Sequence, residues 1–325
     1  MNFLLGISPD DTDSEAPCTP DEFVDAFHDA LFLTMVRMIL GPVWKLLPQG
    51  RFRRVCNTAH SFLNHYIAQA IGQTGESDSS PAQRKKRSLV QDLSLQSEDQ
   101  AFIRSQVLQG MMASQETTSS LLGNAFFLLS RHPSYWDQVR NEVLAKGDMF
   151  DFDTLLNSKV LQNILLESKC WQVHELTATD NISALRLYPV FPLMGRIALC
   201  DTVLPVGGKP DLNDPIFVPK GTKVEVGQYS LHRDPRVFGE DTEAFRPERW
   251  DSINPSQWEF MAFGGGSRAC LGRQKSLVEA AYVLARLARQ FPRLESRDDE
   301  EWKGDMKLTC KSANGCKVAL YEADT

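Results

Sequence analysis

The 325-residue chain lacks any apolar run long enough to cross a bilayer. Its best stretch, Leu31 to Leu47, is interrupted by Arg37, Gly41, Pro42 and Lys45 and falls short of the roughly 20 apolar residues that a spanning helix needs. No two of its seven cysteines (18, 56, 170, 200, 270, 310 and 316) stand in C-x-x-C spacing. Their odd number and wide scatter argue against a disulfide framework. Positive charge is in deficit, 35 Lys and Arg against 42 Asp and Glu for a net of −7, which speaks against general affinity for nucleic acid or an anionic membrane surface. There is no internal repeat. Apolar residues are not scarce. At 42% hydrophobic and 9% aromatic the chain can offset the entropy of ordering, which excludes a disordered polymer. The length suits one large helical domain or two smaller ones.

Residues 1–20 are acidic and turn-rich, and a frayed N-terminal segment is expected there. Phe23, Phe27, Leu31 and Met35, then Val55, Phe62, Tyr66 and Ile67, recur at helical spacing and predict two amphipathic helices flanking Gly41-Pro42. Between Gly72 and Arg87 the chain is polar, and its run Arg84-Lys85-Lys86-Arg87 reads as the solvated face of an exposed loop. Ser97, followed three residues later by Gln100, reads as a capping box opening a helix that continues to Arg131. Such a helix is on the order of 50 Å long and serves as the spine of a fold. Its middle, Ala113-Ser114-Gln115-Glu116-Thr117-Thr118, sets an acid and hydroxyls in an apolar stretch, where hydroxyls back-bonding to the preceding turn are one reading. Further helices are expected over 134–144, 155–167 and about 272–291. Between them, runs at 203–208, 216–221 and 223–226 predict a small sheet region. The chain closes on Thr309-Cys310, Asn314-Gly315 and Val318-Ala319-Leu320, a hairpin pattern.

The most specific stretch is Phe263-Gly264-Gly265-Gly266-Ser267-Arg268-Ala269-Cys270-Leu271-Gly272, just before the last helix. Successive glycines let backbone approach a flat ligand, and a cysteine at a helix N-terminus is favoured as thiolate. A thiolate so placed is a metal ligand or a nucleophile, the third possibility being a structural buried Cys. No local His and Asn or Asp signature supports the nucleophile.

Phe263-x-x-Gly266-x-Arg268-x-Cys270-x-Gly272 resembles the haem-binding loop of the cytochrome P450 monooxygenases. Phe245-Arg246-Pro247-Glu248-Arg249-Trp250 looks like the family's Pro-Glu-Arg segment, Ala113 to Thr118 resembles its oxygen-activation motif, and Leu185-Arg186-Leu187-Tyr188-Pro189 resembles the end of its Glu-x-x-Arg helix. Leu204 to Gly221 and Leu231-His232-Arg233-Asp234-Pro235 are similar to fungal members of the alkane and fatty-acid hydroxylase type. The resemblance runs from about residue 20 to the end. It implies a mainly α fold with a small β-sheet region, haem b (iron protoporphyrin IX) as cofactor, and electrons from NADPH through a separate NADPH-cytochrome P450 reductase. It further implies hydroxylation of a small hydrophobic substrate.

Carried over by position, Cys270 would be the axial thiolate, Arg268 a propionate partner, Phe263 the cover over the sulfur, and Gly266 and Gly272 points of close backbone approach. Arg196 resembles a second propionate partner, with a plain surface Arg as the alternative. Glu116 and Thr117 would deliver protons to bound dioxygen. Ser114 stands where the family usually has Gly. Met111, Met112 and Phe191 fit either a substrate pocket or core packing.

Two departures from the family pattern shape the expectation. The chain begins late relative to the family, as though the N-terminal third with its endoplasmic-reticulum anchor were lacking, so a cytoplasmic or peripheral partial domain over residues 21–325 is expected. The family also places Glu and Arg three apart on one helix, where both join Arg249 in a buried ion network; here Glu167 and Arg186 are nineteen apart. The intervening residues lack helical periodicity. The stretch over 168–183 can be coded with a splice donor inside codon 168, a branch-like sequence and an acceptor ending inside codon 184; its removal in frame joins the two split codons into one for Thr and leaves Glu-Thr-Leu-Arg, so a translated intron is the expectation and a loop insertion the alternative. Two rivals to the monooxygenase stay open: a reductase-independent haem-thiolate isomerase or peroxygenase, against which Glu116-Thr117 argues, and a truncated remnant with weak or no haem binding.

Overall fold

A computed structural model of the chain describes residue 5 and residues 14–73, 88–147, 150–166, 184–306 and 309–322. Two compact units divide it, Met1–Ser114 and Gln115–Thr325.

In the first unit, helix α1 (Pro20–Leu40) starts from a capping box, the Glu22 amide donating to Thr19 Oγ1 at 3.2 Å and the Thr19 amide to Glu22 Oε2 at 2.8 Å. Pro20 fits there because the first turn has no use for its missing N–H. Gly41 ends α1 at φ +52° and opens a 3₁₀ turn, Gly41–Leu46, that leads to α2 (Gly50–Gln73). The two helices and their turn are the pair that the spacing predicts. Phe23 stacks on Phe62 at 4.4 Å, and Phe27, Leu63, Tyr66 and Ile67 continue the buried stripe. Ser88 caps α3 (Leu89–Ser94), and Ile103, Val107 and Met111 of α4 (Gln100–Leu129) complete this core.

α4 passes from one unit into the other between Ser114 and Gln115 and is on the order of 45 Å long. Its cap differs from expectation. Asp99 Oδ1 accepts the amides of Ala101 (2.9 Å) and Phe102 (3.2 Å), while Ser97 Oγ accepts the amide of Asp99 itself. A carboxylate suits the positive end of a helix better than a hydroxyl does.

In the second unit α4 is followed by α5 (Pro133–Ala145), α6 (Phe152–Leu156) and α7 (Lys159–Leu166). The single helix expected over 155–167 is two, because Ser158 at the break donates to the Thr154 carbonyl and accepts from Lys146 Nζ. Such local bonds compete with helix continuation. Residue 167 and the 168–183 stretch lie outside the described residues, as does most of the 72–87 loop. After α8 (Ala184–Leu187) come β1 (Leu193–Ile197), β2 (Thr202–Gly208), β3 (Asp214–Val218), β4 (Lys223–Gly227), and the short helices α9 (Gln228–Leu231) and α10 (Pro235–Phe238). α11 (Arg273–Gln290) buries Leu277, Ala281, Leu284, Ala285 and Ala288, the face its sequence presents, into a core with Trp136, Val139, Leu161 and Trp250. Among the described residues four antiparallel ladders of two strands each make up the β structure: β1 with β4, β2 with β3, β5 (Arg293–Ser296) with β8 (Val318–Tyr321), and β6 (Gly304–Met306) with β7 (Cys310–Ser312). The C-terminal hairpin is therefore corrected. β7 and β8 do not pair, since β8 spends its hydrogen bonds on β5, with Leu320 opposite Leu294. Among the described residues no helix is long and apolar enough to cross a membrane.

One buried residue contributes to how this unit responds to acid. His232 is fully buried, its Nε2 accepts the Met261 amide at 3.0 Å, and its Nδ1 faces the Leu185 carbonyl at 3.3 Å. Those partners require the neutral ring with the proton on Nδ1. Burial pushes its pKa down to about 3, against the bond to Leu185 and with the charges of Arg186 and Arg233. The unfolded chain takes up this proton near the ordinary histidine value and the folded chain near 3. This contribution to stability is therefore complete above the ordinary value and is lost as pH falls toward 3, with a slope approaching about 1.4 kcal/mol per pH unit. Urea midpoints measured from pH 7 down to pH 4 should fall accordingly. In His232→Gln, which cannot titrate, the fall should be shallower.

Candidate functional site

The Cys270 loop closes on itself before α11. Gly264 donates to the Met261 carbonyl at 2.8 Å, Ala269 to Gly266 at 3.1 Å, and Cys270 to Phe263 at 2.9 Å. Two glycines have definite work here. Gly264 and Gly266 sit at φ +68° and +66°, the left-handed region that favours glycine. The loop ends with Gly272, whose Cα region lies beside Cys270 Sγ, so the sulfur stands at the mouth of an 18-residue helix and its positive dipole end. The alternative of a buried structural cysteine is overturned: Cys270 is exposed, and Leu271 beside it is fully exposed. Phe263 is half-buried against the core of α11, with the Arg273 guanidinium 5.8 Å from its ring.

Arg268 and Arg196 are both exposed. Among the described residues Arg196 donates to the neighbouring Gly195 carbonyl, at 2.9 Å. It shares its face of β1 with Met194, two residues earlier, and the Met194 methyl lies 3.3 Å from where a Gly264 Cβ would be. β1 thus runs beside the glycine loop and offers a guanidinium on that face.

A second cluster lies behind the loop. Arg186 and Arg249 are buried, and both donate to the Ala244 carbonyl, at 3.1 and 2.9 Å. Arg186 also reaches the carbonyls of His232 and Thr242, and Arg249 those of Phe238 and Asp241. Arg249 Nη1 pairs with Asp241 Oδ1 at 2.9 Å. Burial works to raise the Asp241 pKa, but the hydrogen bond and charge of Arg249, with the charge of Arg246, hold the carboxyl below its ordinary range. Glu167, the third expected member, lies outside the described residues.

Glu116 and Thr117 are half-buried in the middle of α4. The structure ties Glu116 to Thr309, whose hydroxyl donates to Oε2 at 3.4 Å, rather than to the Cys270 loop. Back-bonding by Thr is not seen at Thr118, whose buried hydroxyl has no partner among the described residues; within this stretch Ser114 donates to the Met111 carbonyl at 3.5 Å. Met111 is core, whereas Met112 and Phe191 are exposed and do not pack as core residues.

Three residues that sequence reasoning passed over sit closest to the loop's base. His232, Gln228 and Met194 contact Met261 or the glycines. Gln228 Nε2 donates to the Met261 carbonyl at 2.6 Å and touches Met194 Sδ at the same distance. A lone histidine and a lone glutamine carry no spacing signal. Only the turn Leu231-His232-Arg233-Asp234-Pro235, quoted above for its wording, marked the place.

The comparisons with known proteins agree with this geometry. The family model for cytochrome P450 matches residues 1–315. A cytochrome P450 monooxygenase of Fusarium heterosporum, fsdH, is 36% identical over 98% of this chain and 55% of its own length. Cytochrome P450 52A12 of Debaryomyces hansenii is 37% identical over 86% of this chain and 52% of its own. Cytochrome P450 52-E3 of Starmerella bombicola is 33% identical over 91% and 56%. The chain spans little more than half the length of these relatives. Matched over nearly its whole length, with the glycine loop, the exposed cysteine and the paired arginines in place, the chain belongs to the cytochrome P450 family.

Proposed function

We propose that this chain carries the haem-thiolate half of a monooxygenase that inserts one oxygen atom into an unactivated C–H bond of a hydrophobic fatty-acid, alkane or secondary-metabolite substrate. NADPH electrons would arrive through a separate reductase. The observation that carries the reading is the exposed Cys270 thiol on a closed glycine turn at the mouth of α11. The residues fit the group. A soft sulfur donor suits iron, the glycines leave backbone open to a flat macrocycle, and two exposed guanidiniums suit its carboxylates. When bound, haem would supply the iron at which dioxygen is bound and activated.

The protein's part is division of labour. Cys270 would hold the metal as thiolate, stabilised by the helix end, while Phe263 covers the sulfur and Arg268 and Arg196 grip the propionates by charge-assisted bonds. Glu116 would carry a proton on the carboxylate that Thr309 steadies, and Thr117 would relay it through its hydroxyl. Arg186 and Arg249, with Glu167 as their acid, would keep the segment behind the loop from shifting. We also read residues 168–183 as a retained intron, because an in-frame Glu-Thr-Leu-Arg would return Glu167 to the helical face of Arg186.

Cys270→Ala should abolish the ferrous carbonyl absorption diagnostic of thiolate ligation, and an unchanged spectrum would sink the assignment. Thr117→Ala should lower product formed per NADPH consumed, with peroxide released instead, by a factor up to the roughly 10²–10⁴ that positioned proton transfer contributes; preserved coupling would assign Thr117 to packing. Sequencing of mature transcripts decides the insert: spliced messages should lack codons 168–183, and their presence in every message makes it a true loop.

A further inference from the structure

We propose that His232 and Gln228 are positioning residues that set the seat of the Cys270 loop by gripping Met261 at both its backbone groups. This rests on the haem-thiolate reading above and adds to it the means by which the thiolate is aimed. His232 Nε2 accepts the Met261 N–H at 3.0 Å, and Gln228 Nε2 donates to the Met261 carbonyl at 2.6 Å. That same carbonyl takes the Gly264 amide at 2.8 Å, the bond that starts the glycine turn, and Phe263 next to it takes the Cys270 amide at 2.9 Å. The path from the two side chains to the sulfur-bearing residue is short and directional throughout.

The two side chains come from one helical turn. Gln228 opens α9, and His232 follows four residues later with its amide on the Gln228 carbonyl, so they project on one side. Each is anchored away from the loop as well. His232 Nδ1 faces the Leu185 carbonyl beside Arg186, and the Gln228 amide donates to Pro192 at 2.8 Å, just before β1. The grip therefore references the loop to both the buried arginine cluster and the strand that carries Arg196.

Stability alone does not account for these residue types. Both are fully buried, and Gln228 leaves its Oε1 buried without a partner among the described residues. A buried polar atom left unmade costs free energy that an apolar side chain of similar volume would not incur. What the polar pair supplies and an apolar pair cannot is direction, at the sub-ångström scale that a ligand set requires.

The test uses the full chain, reconstituted with haem, and reads two quantities besides turnover: the haem dissociation constant, and the thiolate-ligated fraction of the ferrous carbonyl complex at equal haem occupancy. His232→Leu and Gln228→Leu should each weaken haem binding about 10–100-fold, as loss of a ligand's supporting partner does, and lower the thiolate fraction. His232→Gln, which retains a donor and an acceptor, should restore most of both. Val139→Ala, a core change on α5 rather than on α9 or the loop, should lower the melting temperature while leaving the thiolate fraction intact. The proposal is overturned if both Leu variants keep the wild-type fraction, or if Val139→Ala lowers it equally at matched loss of stability. Should His232→Leu not fold, Gln228→Leu decides by the same criteria. A spectrum indifferent to Cys270→Ala would instead remove the haem-thiolate reading itself, a result distinct from any of these.

Discussion

Two guanidinium groups sealed from water govern the larger unit. Arg186 and Arg249 are both buried, and an ion taken out of water costs several kcal/mol unless its hydrogens find acceptors. Guanidinium carries five N–H donors in a rigid plane, and the structure answers with carbonyls from residues 232, 238, 241, 242 and 244. A segment of little regular structure thereby wraps around two fixed points. Its aromatic residues then close the core above them: Phe238, Trp250 and Phe260 meet edge to face, and His232 lies 4.5 Å from the Phe260 ring. The route to Cys270 begins at that base, because Met261 follows Phe260 directly.

How far the chain could be read in advance depended on whether a residue's partner was local. The helices α1, α2, α4 and α11 were legible because their buried faces recur every three or four residues and their ends carry caps or glycine. So was the Cys270 loop, where residue types and spacing are packed into ten positions. The final hairpin was not. Asn314-Gly315 does turn the chain, with Gly315 at φ +74°, but the strands on either side find β6 and β5, and distant pairing leaves no mark in a short window. The cap of α4 was missed for a different, local reason: Ser97 and Asp99 compete for one end and the stronger acceptor prevails. His232 was the least legible of all. Its burial, its tautomer and its low pKa follow from Leu185 and Met261, which lie 47 and 29 residues away.

The proposed chemistry asks opposite things of its two centres, and the structure supports them in opposite ways. An axial ligand must hold still. Cys270 is held through its own amide on Phe263, by a turn that sets Gly264 and Gly266 at positive φ, and from beneath by bonds to both backbone groups of Met261. A proton carrier must move. Among the described residues Glu116 accepts from the neutral Thr309 hydroxyl at 3.4 Å, the outer edge of hydrogen bonding, and it is half-exposed. A carboxylate bonded to a neutral hydroxyl would release or take up a proton at lower cost than one locked in a buried ion pair, which must first break a strong interaction. In the proposed chemistry the long contact at Glu116 would suit proton delivery, and the dense bonding under Cys270 would suit ligation.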